Sequence, residues 1–345
     1  MVRDERMRWG VIGAGGFADQ VAIPAIQRTP SGVVQALTVR NLERANLLAH
    51  KHGVPQFFTD PADLLTNPKI DAVYICTPEE FHAQYAILAA HNGKHVCCEK
   101  PMALSSEECQ QMIAACEGAR VKLMPAFMMR FHPTHQKIRT LIREGAIGEI
   151  VQARIQFSYW YPPDSSWRQH PKNQKGGGAL WDLGSHAFDL LRFLTQQEIT
   201  GVQAFVDTII HGYPGNDTAI CSARLESGAI GIIDVGFTVP SNEGRLEVYG
   251  TEGTMYGTSA IDPSAVPRAW IVQKGVTQEI TTAGDCYAEQ FEHFARCVLQ
   301  DIEPTVNGYD GLSNVRVLEA IGIAANSQRY TRVETIPKNQ RSPLS

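Results

Sequence analysis

The stretch RWGVIGAGGFA, Arg8–Ala18, passes from a short apolar run into a glycine-rich turn and on toward an amphipathic segment. Arg8–Ile12 predicts a strand, and a helix is expected from about Phe17. Gly13, Gly15 and Ala18 form a G-x-G-x-x-A pattern at that junction. The first glycine permits a tight turn, the second lets the backbone approach a pyrophosphate, and the alanine lets helix and strand pack closely. The helix N-terminus would then offer free N–H groups and a positive dipole end to the anion. A glycine turn with no ligand would look the same in isolation, so the surrounding pattern has to decide.

That pattern is an alternation of apolar runs and amphipathic segments. Val33–Val39 predicts a second strand, followed by a helix that closes on Gly53. Ile70–Cys76 predicts a strand and Glu80–Gly93 a helix; Lys94–Glu99 predicts another strand and Ser105–Ala119 another helix. Ser105 and Glu108 fit a capping box at its start. Val121–Ala126 closes the series. Helices of this length between continuous apolar strands argue for βαβ units and a parallel sheet covered on both faces. The expected fold class is α/β, with an N-terminal doubly wound dinucleotide-binding domain over 1–125.

From about residue 126 the rhythm changes. A helix over 133–148 leads into an alternating strand, Ile150–Trp160, and then a long loop, Tyr161–Gly178. A helix at 179–194 precedes a run of strands and turns from Val202 to Thr258, with hairpins across Glu226-Ser227-Gly228 and Thr251-Glu252-Gly253. Helices are expected at Tyr287–Leu299 and Gly311–Gln328. This reads as an α+β domain with an antiparallel sheet over 126–336, with a tail at 337–345.

The bulk numbers agree with such a two-domain chain. The 345 residues suffice for about two domains of roughly 100–200 residues. A net charge of −5 without blocks of like charge gives no reason to expect nucleic acid or an anionic membrane as partner. No apolar run approaches the roughly 20 residues that span a bilayer, and the mixed charges of the first residues do not resemble a signal peptide. The eight cysteines include no CxxC pair, so reduced thiols packed as small hydrophobes in a cytosolic protein are expected, and no metal site.

Candidate functional residues fall at the predicted strand ends. Glu99 and Lys100 end one strand, and Thr77, Pro78 and His82 follow another; in doubly wound sheets ligands bind beyond the carboxyl ends. With Gly13, Gly15, Gly16, Phe17 and Ala18 they make up the expected cofactor set. NAD sites usually carry an acid at the end of the second strand, yet here LTVRN offers none before Glu43. Arg40 stands there instead, where a guanidinium suits a 2′-phosphate. NADP is therefore favoured over NAD, the other reading being a solvated Arg40 and use of either. In the predicted helix, Asp182 and His186 are four residues apart and share one face. Leu183, Ala187, Leu190, Leu191 and Leu194 form its apolar stripe. Taken alone, the pair also fits a capping aspartate and a satisfied core histidine.

VIGAGGFA, CTPEEFH, CCEKP, MMRFHP and WDLGSH together resemble the glucose–fructose oxidoreductase/inositol dehydrogenase (Gfo/Idh/MocA) family, over roughly residues 7 to 336. The resemblance implies that the second domain is a substrate-binding and oligomerisation domain built on a large open, mostly antiparallel sheet. With it comes the implication of NAD(P)-dependent oxidation or reduction of a sugar, polyol or glycoside by a homodimer or homotetramer. It also implies a frequently cis Lys100-Pro101 bond and catalysis by Lys100, His186 and Asp182. The residue types suit the chemistry: a histidine titrates near neutrality and can shuttle a hydroxyl proton, and an ammonium can stabilise a developing alkoxide. Trp167 and Arg168 are expected as a substrate wall and a hydroxyl or anion donor; Arg130, His132 and Tyr287 are further candidates. The long loop resembles that of anhydrofructose reductases. Two other readings are an NADPH-dependent keto-sugar reductase and a dinucleotide-sensing regulator without turnover, the latter having no need for lysine, histidine and aspartate together.

Overall fold

The computed structural model describes residues 6–164, 169–170, 176–240, 244–259 and 268–340. The chain forms two compact units, one of Met1–Met128, Tyr287–Leu312 and Lys338–Ser345, the other of Met129–Cys286 and Ser313–Pro337.

The first unit holds six strands: β1 (Met7–Ile12), β2 (Gly32–Thr38), β3 (Gln56–Phe58), β4 (Ala72–Ile75), β5 (His95–Cys98) and β6 (Leu123–Pro125). They form one sheet in the order β3-β2-β1-β4-β5-β6, with every pairing parallel. The order reverses between β1 and β4, the switch point where doubly wound sheets open a crevice at their carboxyl ends. The connecting helices are α1 (Ile23–Arg28), α2 (Leu42–His52), α3 (Pro61–Leu65), α4 (His82–His91) and α5 (Ser106–Ala119). Local chemistry fixes their ends. The Asn41 side chain accepts from the Arg44 N–H at 2.9 Å, and Gly53 closes α2 in the left-handed region at φ 63°. The Ser105 hydroxyl accepts from the Glu108 N–H at 3.2 Å, while the Glu108 carboxylate accepts from the Leu104 N–H at 2.9 Å, a capping box that closes one residue early.

A later helix, α8 (Cys286–Leu299), completes this unit. Phe291 packs edge-on against Trp9 at 5.6 Å and Tyr74 at 5.0 Å, and Phe294 lies 5.4 Å from Trp9. All four rings are fully buried, an apolar contact that ties α8 to β1 and β4.

The second unit contains α6 (Pro133–Arg143), β7 (Ile150–Ser158), α7 (Ser185–Thr195), β8 (Ile199–Asp207), β9 (Thr218–Leu225), β10 (Ile230–Gly236), β11 (Arg245–Gly250), β12 (Gly253–Thr258), β13 (Arg268–Gln273), β14 (Val276–Glu279), most of α9 (Gly308–Ser327) and β15 (Thr331–Arg332). Its nine strands run β14-β13-β12-β11-β7-β10-β9-β8-β15. Among the described residues of this sheet, only the central β7–β10 pair is parallel. Both expected hairpins form, β9 with β10 and β11 with β12. One face carries Ala153, Ile155, Ala219, Cys221, Ala223, Ile233 and Val235, all buried, and α7 packs on it. Every residue of α7 is buried. Among the described residues no helix is long and apolar enough to cross a membrane.

Candidate functional site

In the first unit the expected cofactor residues gather at the carboxyl ends of β1, β4 and β5. Gly13 has φ 83°, and a Cβ there would meet the Thr77 side chain at 2.6 Å and its backbone N at 3.0 Å. Only glycine allows that turn and that approach. The turn is anchored to the end of β2, where the Gly13 N–H donates to the Thr38 hydroxyl at 3.2 Å and the Ala14 N–H to the Thr38 carbonyl at 2.9 Å. Gly15 and Gly16, by contrast, face open space: a Cβ on Gly16 meets nothing within 4 Å. A helical run follows immediately, including a π-type turn at Ala18–Ala22 ahead of α1. The Thr77 hydroxyl is buried with no hydrogen-bond partner among the described residues. A glycine cradle, a helix start and an orphaned hydroxyl beside the turn fit a dinucleotide pyrophosphate. Arg40 is exposed two residues past β2.

Lys100 is held by its backbone. The Glu99 N–H donates to the Ile75 carbonyl at 2.9 Å, and one Glu99 carboxylate oxygen accepts from the Lys100 N–H at 3.2 Å. The other accepts from the hydroxyl of Tyr74. The Lys100-Pro101 peptide is cis, as the resemblance implies. His82 faces two carbonyls, Pro101 at 2.9 Å through Nδ1 and Thr77 at 3.0 Å through Nε2. A neutral imidazole can donate to only one of them, whereas an imidazolium could serve both. Burial nonetheless prevails: it pushes the His82 pKa below its usual value against those two contacts, and the nearby Lys100 ammonium lowers it further. Tyr287 lies in this unit, its ring 5.8 Å from that of Phe17.

Burial is also the leading cause that lowers the pKa of His95, His132 and His293. The sign follows directly. Between these depressed folded values and the unfolded value near about 6.5, the unfolded chain binds more protons. Stability is therefore full above that value and is lost as pH falls through the folded ones. The lowered carboxylates of Asp19, Asp71 and Asp217 act only at lower pH. The urea midpoint is expected to drop between about pH 7.5 and pH 5.5, and less so in His82→Asn. An equal or higher midpoint at the lower pH contradicts this account.

In the second unit, Asp182 and His186 are 8% and 7% exposed. Asp182 lies in a π-type turn, Leu180–Gly184, and His186 in the first turn of α7; such turns recur at functional sites. The sequence pattern puts both on one regular helix, whereas in the structure the helical register changes between them. Gly176, Gly177 and Gly178 enter this segment with φ of 71°, 64° and 66°. Gly178 passes so close to Asn216 that a Cβ would lie 2.6 Å from its side-chain nitrogen. Asn216 caps the segment, its side-chain oxygen accepting from the Leu180 N–H and its carbonyl from the Ala179 N–H, both at 2.8 Å.

Arg130 is also buried here. Its guanidinium makes a forked pair with Asp189, Nε to Oδ2 at 2.8 Å and Nη2 to Oδ1 at 2.6 Å, and lies 5.6 Å from the centre of Phe193. The expectation of a substrate contact therefore meets a side chain engaged with α7. His132 caps α6, its Nδ1 accepting from the Thr134 N–H at 3.2 Å. Trp167 and Arg168 lie outside the described residues. Asn216, Asp189 and Tyr74 carry no signal in the sequence. Each acts through a partner at least 25 residues away, and no local motif announces that.

Comparison with known proteins adds the following. The oxidoreductase family model with an NAD-binding Rossmann fold matches residues 7–127, and the GFO/IDH/MocA C-terminal domain model matches 135–256. The 1,5-anhydro-D-fructose reductase of Ensifer adhaerens is 30% identical over 331 residues, covering 95% of this chain and 99% of its own. The D-xylose 1-dehydrogenase (NADP(+)) 2 of Haloferax volcanii is 30% identical over 319 residues, covering 91% and 96%. The crystal structure of an aldose-aldose oxidoreductase from Caulobacter crescentus, complexed with glycerol, superimposes with a TM-score of 0.88 at 27% identity, covering 95% of this chain and 100% of that one.

Proposed function

The chain belongs to the GFO/IDH/MocA oxidoreductase family, and on that premise we propose that it oxidises a secondary alcohol, or reduces the corresponding carbonyl, of a sugar, polyol or glycoside, with Lys100 and His186 acting on the substrate oxygen. The broader activity is that of an NAD(P)-dependent oxidoreductase of sugar or polyol alcohols. Bound nicotinamide dinucleotide supplies the hydride acceptor or donor. The protein's part is to bind, orient and move a proton. Gly13, Gly15 and Gly16 with Phe17 and Ala18 would cradle the pyrophosphate, and Thr77, Pro78, His82 and Glu99 shape the strand ends around it. Lys100 stabilises the alkoxide as the hydroxyl loses its proton, His186 receives that proton, and Asp182 orients the imidazole or a neighbouring hydroxyl. The observation that carries the reading is Lys100, fixed by its backbone at the carboxyl end of β5, one strand removed from the strand that ends in the glycine turn.

NADP is the favoured dinucleotide. Its support is the exposed Arg40 where an acid would serve NAD. A panel of aldoses, inositols, glycosides and keto-sugars, run with each cofactor and followed by nicotinamide absorbance, tests the whole reading. Arg40→Ala is expected to reduce the NADP-to-NAD ratio of kcat/KM by about 10–100-fold, the range of one charge-assisted hydrogen bond. Silence across the panel with both cofactors rejects turnover and leaves a sensing protein. An unchanged ratio in Arg40→Ala rejects the cofactor assignment alone.

A further inference from the structure

The inward row of β7 reads Ala153, Ile155 and Phe157, alternate residues of one sheet face. Beyond the strand's end the same alternation continues through Tyr159 and Tyr161. The backbone locks this extension in place, the Tyr159 N–H donating to the Gly236 carbonyl at 2.9 Å and the Tyr161 N–H to the Phe237 carbonyl at 3.0 Å. Trp160 alternates away and packs on His211 at 4.9 Å.

The row begins at His186. Its imidazole lies 6.1 Å from the Phe157 ring; Phe157 lies 6.4 Å from Tyr159, and Tyr159 lies 5.8 Å from Tyr161. Phe237 sits against both tyrosines, at 5.4 and 5.1 Å. Exposure rises along the row, from 1% at Ile155 to 37% at Tyr159. A strand face leaving the core ordinarily turns to charged or small polar residues. This one keeps aromatic rings that carry hydroxyls. At about 3.3 Å per residue, Phe157 to Tyr161 spans about 13 Å, longer than a single pyranose ring.

A second observation concerns Tyr213, which stacks at 5.3 Å on His211, the ring that Trp160 packs on, and which is also near enough to feel the charge of Tyr161. Tyr213 is 5% exposed, and its hydroxyl has no hydrogen-bond partner among the described residues. Its segment is fixed by Asp217, whose carboxylate accepts from the N–H groups of Ile209, Ile210 and His211, each at 2.8 Å. Burial first, then the charges of Asp217 and of its neighbours Tyr161 and Asp164, push the Tyr213 pKa well up, so the phenol stays a neutral donor. A buried donor without an acceptor is costly, and a ligand oxygen would remove that cost.

We propose that Tyr159, Tyr161 and Tyr213 form a subsite for a second sugar ring, so that the substrate is a disaccharide or sugar glycoside whose reacting ring lies at His186. The tyrosines offer ring faces to the C–H face of a pyranose and hydroxyls to its rim, which suits an amphipathic sugar better than a purely apolar group. The inference rests on the assignment of His186 to the reacting alcohol.

The test compares kcat/KM for glucose with that for cellobiose, maltose and trehalose on the wild-type enzyme. At least one disaccharide is expected to exceed glucose by about tenfold or more, the scale of one aromatic contact with its hydrogen bond. Tyr161→Ala is expected to collapse that ratio, chiefly through KM for the disaccharide, and Tyr161→Phe to retain most of it. Calorimetric binding of the same sugars reads the subsite independently of turnover. If no sugar is turned over with either cofactor, the proposed activity falls and binding alone decides the subsite. Disaccharides no better than glucose in rate and in binding, or a ratio untouched by Tyr161→Ala, overturn the subsite while leaving a monosaccharide enzyme standing. Should Tyr161→Ala fail to fold, Tyr159→Ala and the wild-type comparison decide between the same two outcomes.

Discussion

Replacing Lys100 with methionine is expected to lower kcat by about 10²–10³-fold, the range of one group that stabilises a developing oxyanion, while cofactor affinity changes little. Methionine keeps most of the length of the side chain and removes its charge. The contacts that fix the backbone around Lys100 run through other groups than its ammonium. Its N–H is held by Glu99, Glu99 by the Tyr74 hydroxyl, and the Pro101 carbonyl faces His82 at 2.9 Å. The fold and the glycine turn therefore survive, and the loss appears in kcat rather than in binding. In energy the loss is about 3–4 kcal/mol of transition-state stabilisation. Fluorescence titration with reduced dinucleotide checks the first half of the claim, and steady-state rates on the best panel substrate check the second. Turnover near the wild-type rate would remove Lys100 from the chemistry; lost dinucleotide affinity would recast it as a cofactor ligand.

What is legible in the sequence is what is local. The first sheet follows from continuous apolar strands alternating with helices, and its glycine turn, the Asn41 and Ser105 caps and the Gly53 stop each lie within four residues of what they control. β3 and β14 leave no such trace because neither carries a buried apolar row: β3 is three half-buried residues and β14 is exposed throughout. Long-range pairing is invisible for a different reason. Nothing in DCYAEQFEHF announces that Phe291 and Phe294 pack on Trp9, near the opposite end of the chain. The motif residues of the site are visible as types, but their supports are not. Tyr74 reads as one more apolar strand residue until its hydroxyl is found on Glu99. Arg130 reads as a cleft donor until Asp189 is found beneath it. A sequence motif shows which chemistry is present, and only the fold shows which of those groups remain available for it.

Asp189→Ala is expected to destabilise the second unit by about 3–5 kcal/mol, the cost of stranding buried charge. Asp189 sits one turn beyond His186 on α7, with its side chain 1% exposed, between Arg130 and Arg192. Arg192 in turn forks onto Glu198, Nε at 2.9 Å and Nη2 at 2.7 Å. The two guanidiniums are balanced by two carboxylates in a nearly dry setting, so removing one carboxylate leaves an excess positive charge with no water to take it up. A hydrophobic explanation of the same helix predicts otherwise. If α7 were held only by Leu183, Ala187, Leu190, Leu191 and Leu194, all buried, a change at Asp189 would cost little. The double variant Asp189→Leu with Arg130→Met separates the two accounts: replacing a buried pair by apolar groups of similar volume is often neutral or stabilising. It should recover much of the loss while Arg192 keeps its partner in Glu198. Urea unfolding of the three proteins reads this directly, and a near-neutral single variant would mean that the ion network contributes nothing to holding the helix that presents His186.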